Sequence, residues 1–429
     1  MDCTDEDLHW SIIQSAIDRG KDTLANVDTL TKEIHQLSPP TFTHQSSSSS
    51  SSGLSQDDSS KEESTISTNE TNSSIGSLLQ PIEQVGGIAS HKHEVLGYHK
   101  YILKPLRLTT VHSHKDGIKD ITKSHRGLRE VAFYEALHAA AVSTSSSSDI
   151  EVSSHKRILS RMGFFDYMVL LSAYYTGDSV VTSSLQSYKK AESTLTQEVK
   201  ELRKLSAFTS SYFGVVMLDR DDHETDVHHL LLQNLTTPFH KPNIIDIKMG
   251  TQTYEPSAPL SKQKREVAKY PQQFEIGFRI VGMKVYFPSA NGGGGGYKCL
   301  DKNFGINLKT KNDVIQALMT FFQCGDTNHI TPYTKHVLSS VIKELSGIKK
   351  WFEEENSTLA FYASSILIVY DAEDNNVKKT SQNDQFCHQD LVKMIDFAHV
   401  CRCSTGDKGY LKGITTLLGI LQEIHGTAS

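Results

Sequence analysis

The stretch Lys241-Pro-Asn-Ile-Ile-Asp-Ile-Lys-Met-Gly250 decides the fold. Ile244, Ile245 and Ile247 make a β-branched apolar run of strand length, Pro242 fixes its start, and Gly250 lets the backbone turn or approach a ligand closely. On a strand, residues two apart share a face, so Asp246 and Lys248 project together. A carboxylate beside an ammonium at the mouth of a sheet suits phosphoryl transfer: the acid orients a hydroxyl while the cation balances charge on the moving group. A buried ion pair at a strand end has the same spacing, and spacing alone favours that simpler reading.

Other blocks surround it: Lys269-Tyr-Pro271, Ile276-Gly-Phe278, Gly282-Met-Lys-Val-Tyr286, Trp351-Phe-Glu353, Phe361-Tyr-Ala-Ser-Ser-Ile-Leu-Ile-Val-Tyr370 and Ile395-Asp-Phe-Ala-His399. With the P-x-x-x-D-x-K-x-G pattern at Pro242, Asp246, Lys248 and Gly250, they resemble the inositol polyphosphate kinase family, and most its multikinase branch, across residues 81–425 with gaps. The resemblance implies an α+β, two-lobed, protein-kinase-like fold of the inositol polyphosphate kinase and SAICAR synthase-like kind. Antiparallel sheets and a small inositide-binding helical segment belong to it. It further implies ATP and Mg²⁺ as cofactors and hydroxyls of inositol tris- and tetrakisphosphates as acceptors. An inositol hexakisphosphate kinase, an inositol trisphosphate 3-kinase and a catalytically dead kinase-fold scaffold are the alternatives.

At 429 residues the chain has room for a two-lobed enzyme with tails. Its net charge of −6 argues against wholesale nucleic-acid binding, so a polyanionic ligand needs a local basic patch. Six cysteines without framework spacing point to a reducing compartment. The acidic start lacks the basic-then-apolar order of a signal peptide, and no run reaches the roughly 20 apolar residues of a membrane span. A soluble intracellular monomer is expected. Residence in the nucleus as well as the cytoplasm, and phosphoinositide lipid as a further substrate, are implied by the family alone.

Apolar spacing of three and four from Leu8 to Leu37 predicts an amphipathic helix in residues 1–37, a docking segment for a protein partner or a helix packed on its own domain. Residues 38–78 are a serine-rich, disordered linker, with an unbroken serine run at Ser46–Ser52. A first lobe follows over 79–235, interrupted by insertions at about 108–124 and 142–205. In the second insertion a helix is expected over Ser184–Leu205, with Glu198, Glu201 and Lys204 on an exposed face. The second lobe spans 236–429 and carries the inositide-binding segment at 251–275. Two strands joined by a loop are expected at 84–87 and 95–104, and strand pairs between 212–218 and 228–235 and between 365–370 and 391–395. Amphipathic helices are expected at 310–322 and 334–354, and a closing apolar helix at 409–424.

No Walker loop occurs anywhere. By the resemblance, Lys104 at the end of a strand contacts nucleotide phosphates and is steadied by Glu130 of the Arg129-Glu-Val-Ala-Phe-Tyr-Glu135 helix, while backbone groups of Gln233 to Leu235 meet the adenine edge. Asp396 is the metal carboxylate, one or two such groups being enough for Mg²⁺. Asp246 hydrogen-bonds the ribose or aligns the acceptor hydroxyl, and Lys248 stabilises transition-state charge. After Gly250, the cations Lys262, Arg265 and Lys269 share a helical face and form a candidate phosphate clamp. His399 matches a family histidine that contacts the inositide. The pattern His399, Cys401, Cys403 offers too few ligands at too close a spacing for zinc.

Overall fold

The computed structural model describes residues 80–81, 95–98, 100–106, 126–142, 192–218, 227–287, 295–323, 330–372 and 391–427. The N-terminal helix and serine-rich linker, the insertion at 108–124 and residues 143–191 of the second insertion lie outside them. Five strands form a first antiparallel sheet: β1 (Gln80–Pro81), β2 (Leu96–Tyr98), β3 (Tyr101–Pro105), β4 (Tyr212–Leu218) and β5 (Val227–Gln233), in the order β1-β2-β3-β5-β4. Between β3 and β4 the chain makes two helices, α1 (Arg126–Val142) and α2 (Glu192–Leu205). Val131, Ala132, Phe133, Tyr134, Ala136 and Leu137 of α1 are all buried, so this helix is enclosed by its surroundings.

The second sheet is built on β6 (Pro242–Met249). Asn243, Ile245, Ile247 and Met249 are buried, whereas Ile244, Asp246 and Lys248 of the opposite face are partly open. β7 (Phe278–Phe287) and β8 (Gly296–Leu300) continue the sheet on one side, β10 (Ser365–Asp371) and β11 (Val392–Ile395) on the other, giving β11-β10-β6-β7-β8, antiparallel throughout. The whole is thus α+β with two antiparallel sheets, as expected. A small third sheet pairs β9 (Leu359–Phe361) with β12 (Val400–Arg402). Between β6 and β7 lie α3 (Leu260–Lys269) and a single turn, α4 (Gln273–Ile276).

Helices α5 (Lys302–Asn307), α6 (Lys311–Gln323), α7 (Pro332–Glu354) and α8 (Lys408–Thr427) complete the second half. Thr331 caps α7 with its hydroxyl on the Thr334 amide, and Pro332 starts it without losing a hydrogen bond. Trp351 and Phe352 enter the core, where Phe352 stacks on Tyr410 of α8. Among the described residues no helix is long and apolar enough to cross a membrane.

Of the residues expected on an exposed face of α2, Lys204 is exposed and the two acids are not. Glu198 and Glu201 are each only 1% accessible. Glu201 accepts hydrogen bonds from the amides and hydroxyls of both Ser357 and Thr358, the residues that lead into β9. Acidic residues at helical spacing match a solvated face in sequence, but a buried carboxylate is tolerated once several donors surround it.

The β6–β7 connection is locked to α8 by backbone against backbone. Gly277 has φ +82°, and a Cβ placed on it would lie 2.6 Å from the Cα of Gly413; a Cβ on Gly413 would lie 2.1 Å from the Gly277 carbonyl oxygen. Gly413→Ala is expected to cost about 2–4 kcal/mol in urea unfolding, because neither backbone can move away without disturbing the core. Gly419, on the same helix with nothing within 4 Å of its virtual Cβ, provides the control. Gly419→Ala should be neutral or stabilise by up to about 1 kcal/mol.

Candidate active site

Lys104 leaves the end of β3 and places its ammonium between two carboxylates, 2.8 Å from Glu130 Oε1 and 2.6 Å from Asp396 Oδ1. These residues are 26 and 292 positions away in sequence. Burial alone would push the Lys104 ammonium toward deprotonation, but the charges and hydrogen bonds of Asp396 and Glu130 outweigh it and hold its pKa above the ordinary lysine value. Glu130 is buried, and the same Oε1 that takes Lys104 also accepts the amide of Phe397 at 3.2 Å.

Asp396 has φ +65°, a left-handed conformation uncommon for aspartate. Phe397 holds it there: its ring is fully buried, 4.6 Å from Phe133, 5.3 Å from Tyr134 and 6.2 Å from Phe361. At the other end of β11, Glu344 of α7 accepts the Leu391 and Val392 amides. The metal-carboxylate candidate is therefore fixed by contacts from α1, β9 and α7.

Asp246 and Lys248 stand on one face of β6, as the spacing predicts. Ser365 lies in register between Lys248 and Ile395, and Arg279 pairs with Lys248 from the other side. Lys248 Nζ donates to the carbonyl of Ala363 at 3.0 Å. Ala363 (φ +56°) and Asp396 are the two non-glycine residues with positive φ among the described residues, and both serve this face. Burial pushes Asp246 up, and the Asp396 charge adds to it. Lys248 and Lys104 draw it back, leaving the carboxyl at about 6.

Asp246 Oδ1 and Ser365 Oγ are buried without a hydrogen-bond partner. Two orphaned oxygens beside the Asp396 carboxylate fit a group that brings hydroxyls or an oxygen-seeking cation. Asp396, with Asp246 or Ser365 nearby, could hold Mg²⁺. Lys104 is the matching cation for phosphates.

The expected adenine-binding segment connects the two sheets. The Gln233 amide donates to Ser211 O at 2.9 Å and the Asn234 amide to Lys100 O at 2.7 Å. Both donors are used within the protein, so a base here is left to carbonyls and to the amide of Leu235. Asp371 at the end of β10 then accepts the amides of His240 and Lys241, fastening the connection to the second sheet.

The three clamp cations are not gathered on one open face. Lys269 donates to Glu266 at 2.7 Å, Arg265 lies 3.9 Å from the same carboxylate, and Lys262 is half-buried. Glu266 points inward, where its charge also acts on Arg279. His399 is engaged by Glu255, Nδ1 to Oε1 at 2.5 Å, and Arg129 Nη1 reaches the same oxygen at 2.8 Å. Burial pushes Glu255 up, but the His399 hydrogen bond and the Arg129 and His399 charges bring it down to about 2. It is a carboxylate, so the imidazole N–H donates.

Three contributors were not found in the sequence. Arg129 was visible as the neighbour of Glu130, and an Arg beside a motif acid was the signal to follow. Arg279 immediately follows the Ile276-Gly-Phe278 block. Glu255 is in an aperiodic loop and carries no local signal.

Residues 229–422 match the inositol polyphosphate kinase family model. The chain is 33% identical to the rat inositol polyphosphate multikinase over 157 residues, 37% of this chain and 37% of that protein. It is 30% identical to the mouse inositol hexakisphosphate kinase 3 over 211 residues, 46% of this chain and 50% of that protein. The chain thus spans half or less of these relatives' length. A solved structure of the multikinase Ipk2 from S. cerevisiae, in complex with ADP and Mn²⁺, is 24% identical with TM-score 0.40, covering 51% of this chain and 90% of that one.

Opposite pH responses are expected from the two perturbed carboxyls. The raised Asp246 favours the folded state at low pH, and that contribution is lost as pH rises from about 3.8 to about 6. The lowered Glu255 contributes above about 4.5 and loses its contribution as pH falls toward about 2. Denaturant titrations of the ligand-free protein from pH 3 to 7 should give Asp246→Asn a flatter upper limb and Glu255→Gln a flatter lower limb. Each difference should be on the order of 2 kcal/mol. Parallel curves for wild type and variants would mean that neither carboxyl is perturbed in this way.

Proposed function

We propose that the chain is an ATP- and Mg²⁺-dependent kinase that phosphorylates hydroxyls of soluble inositol polyphosphates, with tris- and tetrakisphosphates as preferred acceptors. The observation carrying this reading is the meeting of Lys104, Glu130 and Asp396, from three distant parts of the chain, beside Asp246 and Lys248. In this reading Lys104 takes nucleotide phosphates and Asp396 takes the metal ion. The ion neutralises charge on the transferring phosphates when bound.

The acceptor oxygen bonds to the γ-phosphorus as the bond to the β–γ bridging oxygen breaks, and ADP leaves with that electron pair. Lys248 and Arg279 balance the charge on the transferred group. Asp246 either fixes the ribose or aligns the acceptor hydroxyl. A carboxyl titrating at about 6 is matched to taking a proton near neutral pH.

Glu266 supports the less phosphorylated acceptors. It neutralises Lys269 and faces Arg279, which lowers the positive charge available to a fully phosphorylated ring. Lys262, Arg265, Lys269 and His399 stay in the proposal as acceptor contacts. A second reading, an inositol hexakisphosphate kinase, draws on the 30% identity over 211 residues to such an enzyme. Phosphoinositide lipid as a further acceptor and residence in cytoplasm and nucleus are proposed on family likeness alone, a protein partner for residues 1–37 on their apolar spacing, and a monomeric state is proposed with them.

Purified full-length protein with ATP and Mg²⁺ should convert inositol tris- and tetrakisphosphates to higher phosphates resolved by anion-exchange chromatography. Turnover of the hexakisphosphate alone would replace the first reading with the second. Lys104→Ala and Asp396→Asn should each lower kcat by about 10²-fold or more. Wild-type turnover by Asp396→Asn would end the metal assignment.

A further inference from the structure

The outer side of the α3–α4 segment presents apolar side chains that no element among the described residues covers. Leu260 is 71% exposed, Val267 51% and Phe274 71%. The other two large exposed hydrophobics among the described residues, Phe213 and Tyr297, pack edge-on against Tyr101 and Tyr286. Leu260, Lys264 and Val267 are spaced i, i+4, i+7 and so leave one face of α3, while Lys262, Gln263 and Glu266 turn toward the body of the protein. No residue of α3 is buried, so packing against the described residues does not account for its apolar positions.

Cations are interleaved with these apolar groups. Lys264 and Arg265 are exposed, and Lys412 of α8 donates to the Phe274 carbonyl at 2.9 Å with its ammonium 5.3 Å from the Phe274 ring. Two acids occur between residues 260 and 276. Glu266 faces inward and is used by Lys269, and Glu275 is exposed. The outward charge is therefore mainly positive.

We propose that this face docks on an anionic lipid bilayer. A rigid protein pocket for Leu260, Val267 and Phe274 would have to desolvate the cations between them. A bilayer interface takes both: apolar side chains pass below the headgroups, and long basic side chains bend back to the lipid phosphates. Three side chains and a few cations give weak, salt-sensitive, reversible association. Because Gln273 of α4 donates to the carbonyls of Lys248 and Gly250, the docked segment is directly coupled to the β6 end of the candidate site.

The test is co-sedimentation of the full chain with phosphatidylcholine vesicles, with and without phosphatidylserine, in the absence of nucleotide, inositol phosphate and phosphoinositide. The outcome is then independent of the kinase reading and of capture of a lipid substrate in the cleft. Binding is expected to the phosphatidylserine vesicles, to weaken as salt is raised, and to fall about tenfold or more in the Leu260→Ser/Val267→Ser/Phe274→Ser variant. Lys264→Glu should weaken it as well, with the thermal unfolding of both variants unchanged. No sedimentation with anionic vesicles, or undiminished sedimentation of the triple variant, would overturn the proposal. Self-association of the wild type that the triple variant abolishes would also overturn it, in favour of a second copy as the occupant.

Discussion

One carboxylate oxygen does more than any other atom to bring the candidate site together. Oε1 of Glu130 accepts the ammonium of Lys104 and the amide of Phe397, so it joins β3 of the first sheet to the residue after the candidate metal carboxylate. Removing it would leave Lys104 with Asp396 alone and release the peptide that holds Asp396 at positive φ. The helix that carries Glu130 also supplies Phe133 and Tyr134 to the packing around Phe397. Apolar burial and charge pairing therefore constrain the same short segment: the rings help bury the Glu130 carboxylate, and that carboxylate satisfies the Phe397 amide among them.

The site combines features that are individually costly to hold. Asp246 keeps a buried oxygen without a donor, Ser365 keeps an unused hydroxyl, and two residues adopt left-handed backbone. Such features are retained where surrounding structure over-determines them. Here the surroundings are strong: β6 lies at the centre of its sheet, paired along its length with β7 and β10. A preformed but unsatisfied arrangement is suited to binding groups that arrive with their own hydroxyls and cation.

Much of this was readable in the sequence for a definite reason. The β6 stretch has the β-branched run, the proline start and the terminal glycine, so Asp246 and Lys248 had only one way to point. The pairing of β10 with β11 and the span of α7 followed from apolar periodicity. The misread element was α2, whose Glu198 and Glu201 look solvated in sequence; the partners of Glu201, Ser357 and Thr358, lie 156 and 157 residues further on. For the clamp cations, helical spacing places side chains on a face without indicating that Glu266 would pair with Lys269 among them. Arg279 and Glu255 matter through contacts made across the fold, and sequence distance conceals them.

Glu201 also bears on how far the cleft can open. Besides the chain connection through residues 234–241, the two sheets are joined by Thr209 bridging to Met394, by Lys393 donating to Ala207, and by α2 gripping the approach to β9 through Glu201. A hinge with one strap swings freely; a hinge strapped at several separate points is restricted to small sliding adjustments. Substrate admission would then depend on side-chain rearrangement at the rim more than on wholesale parting of the halves.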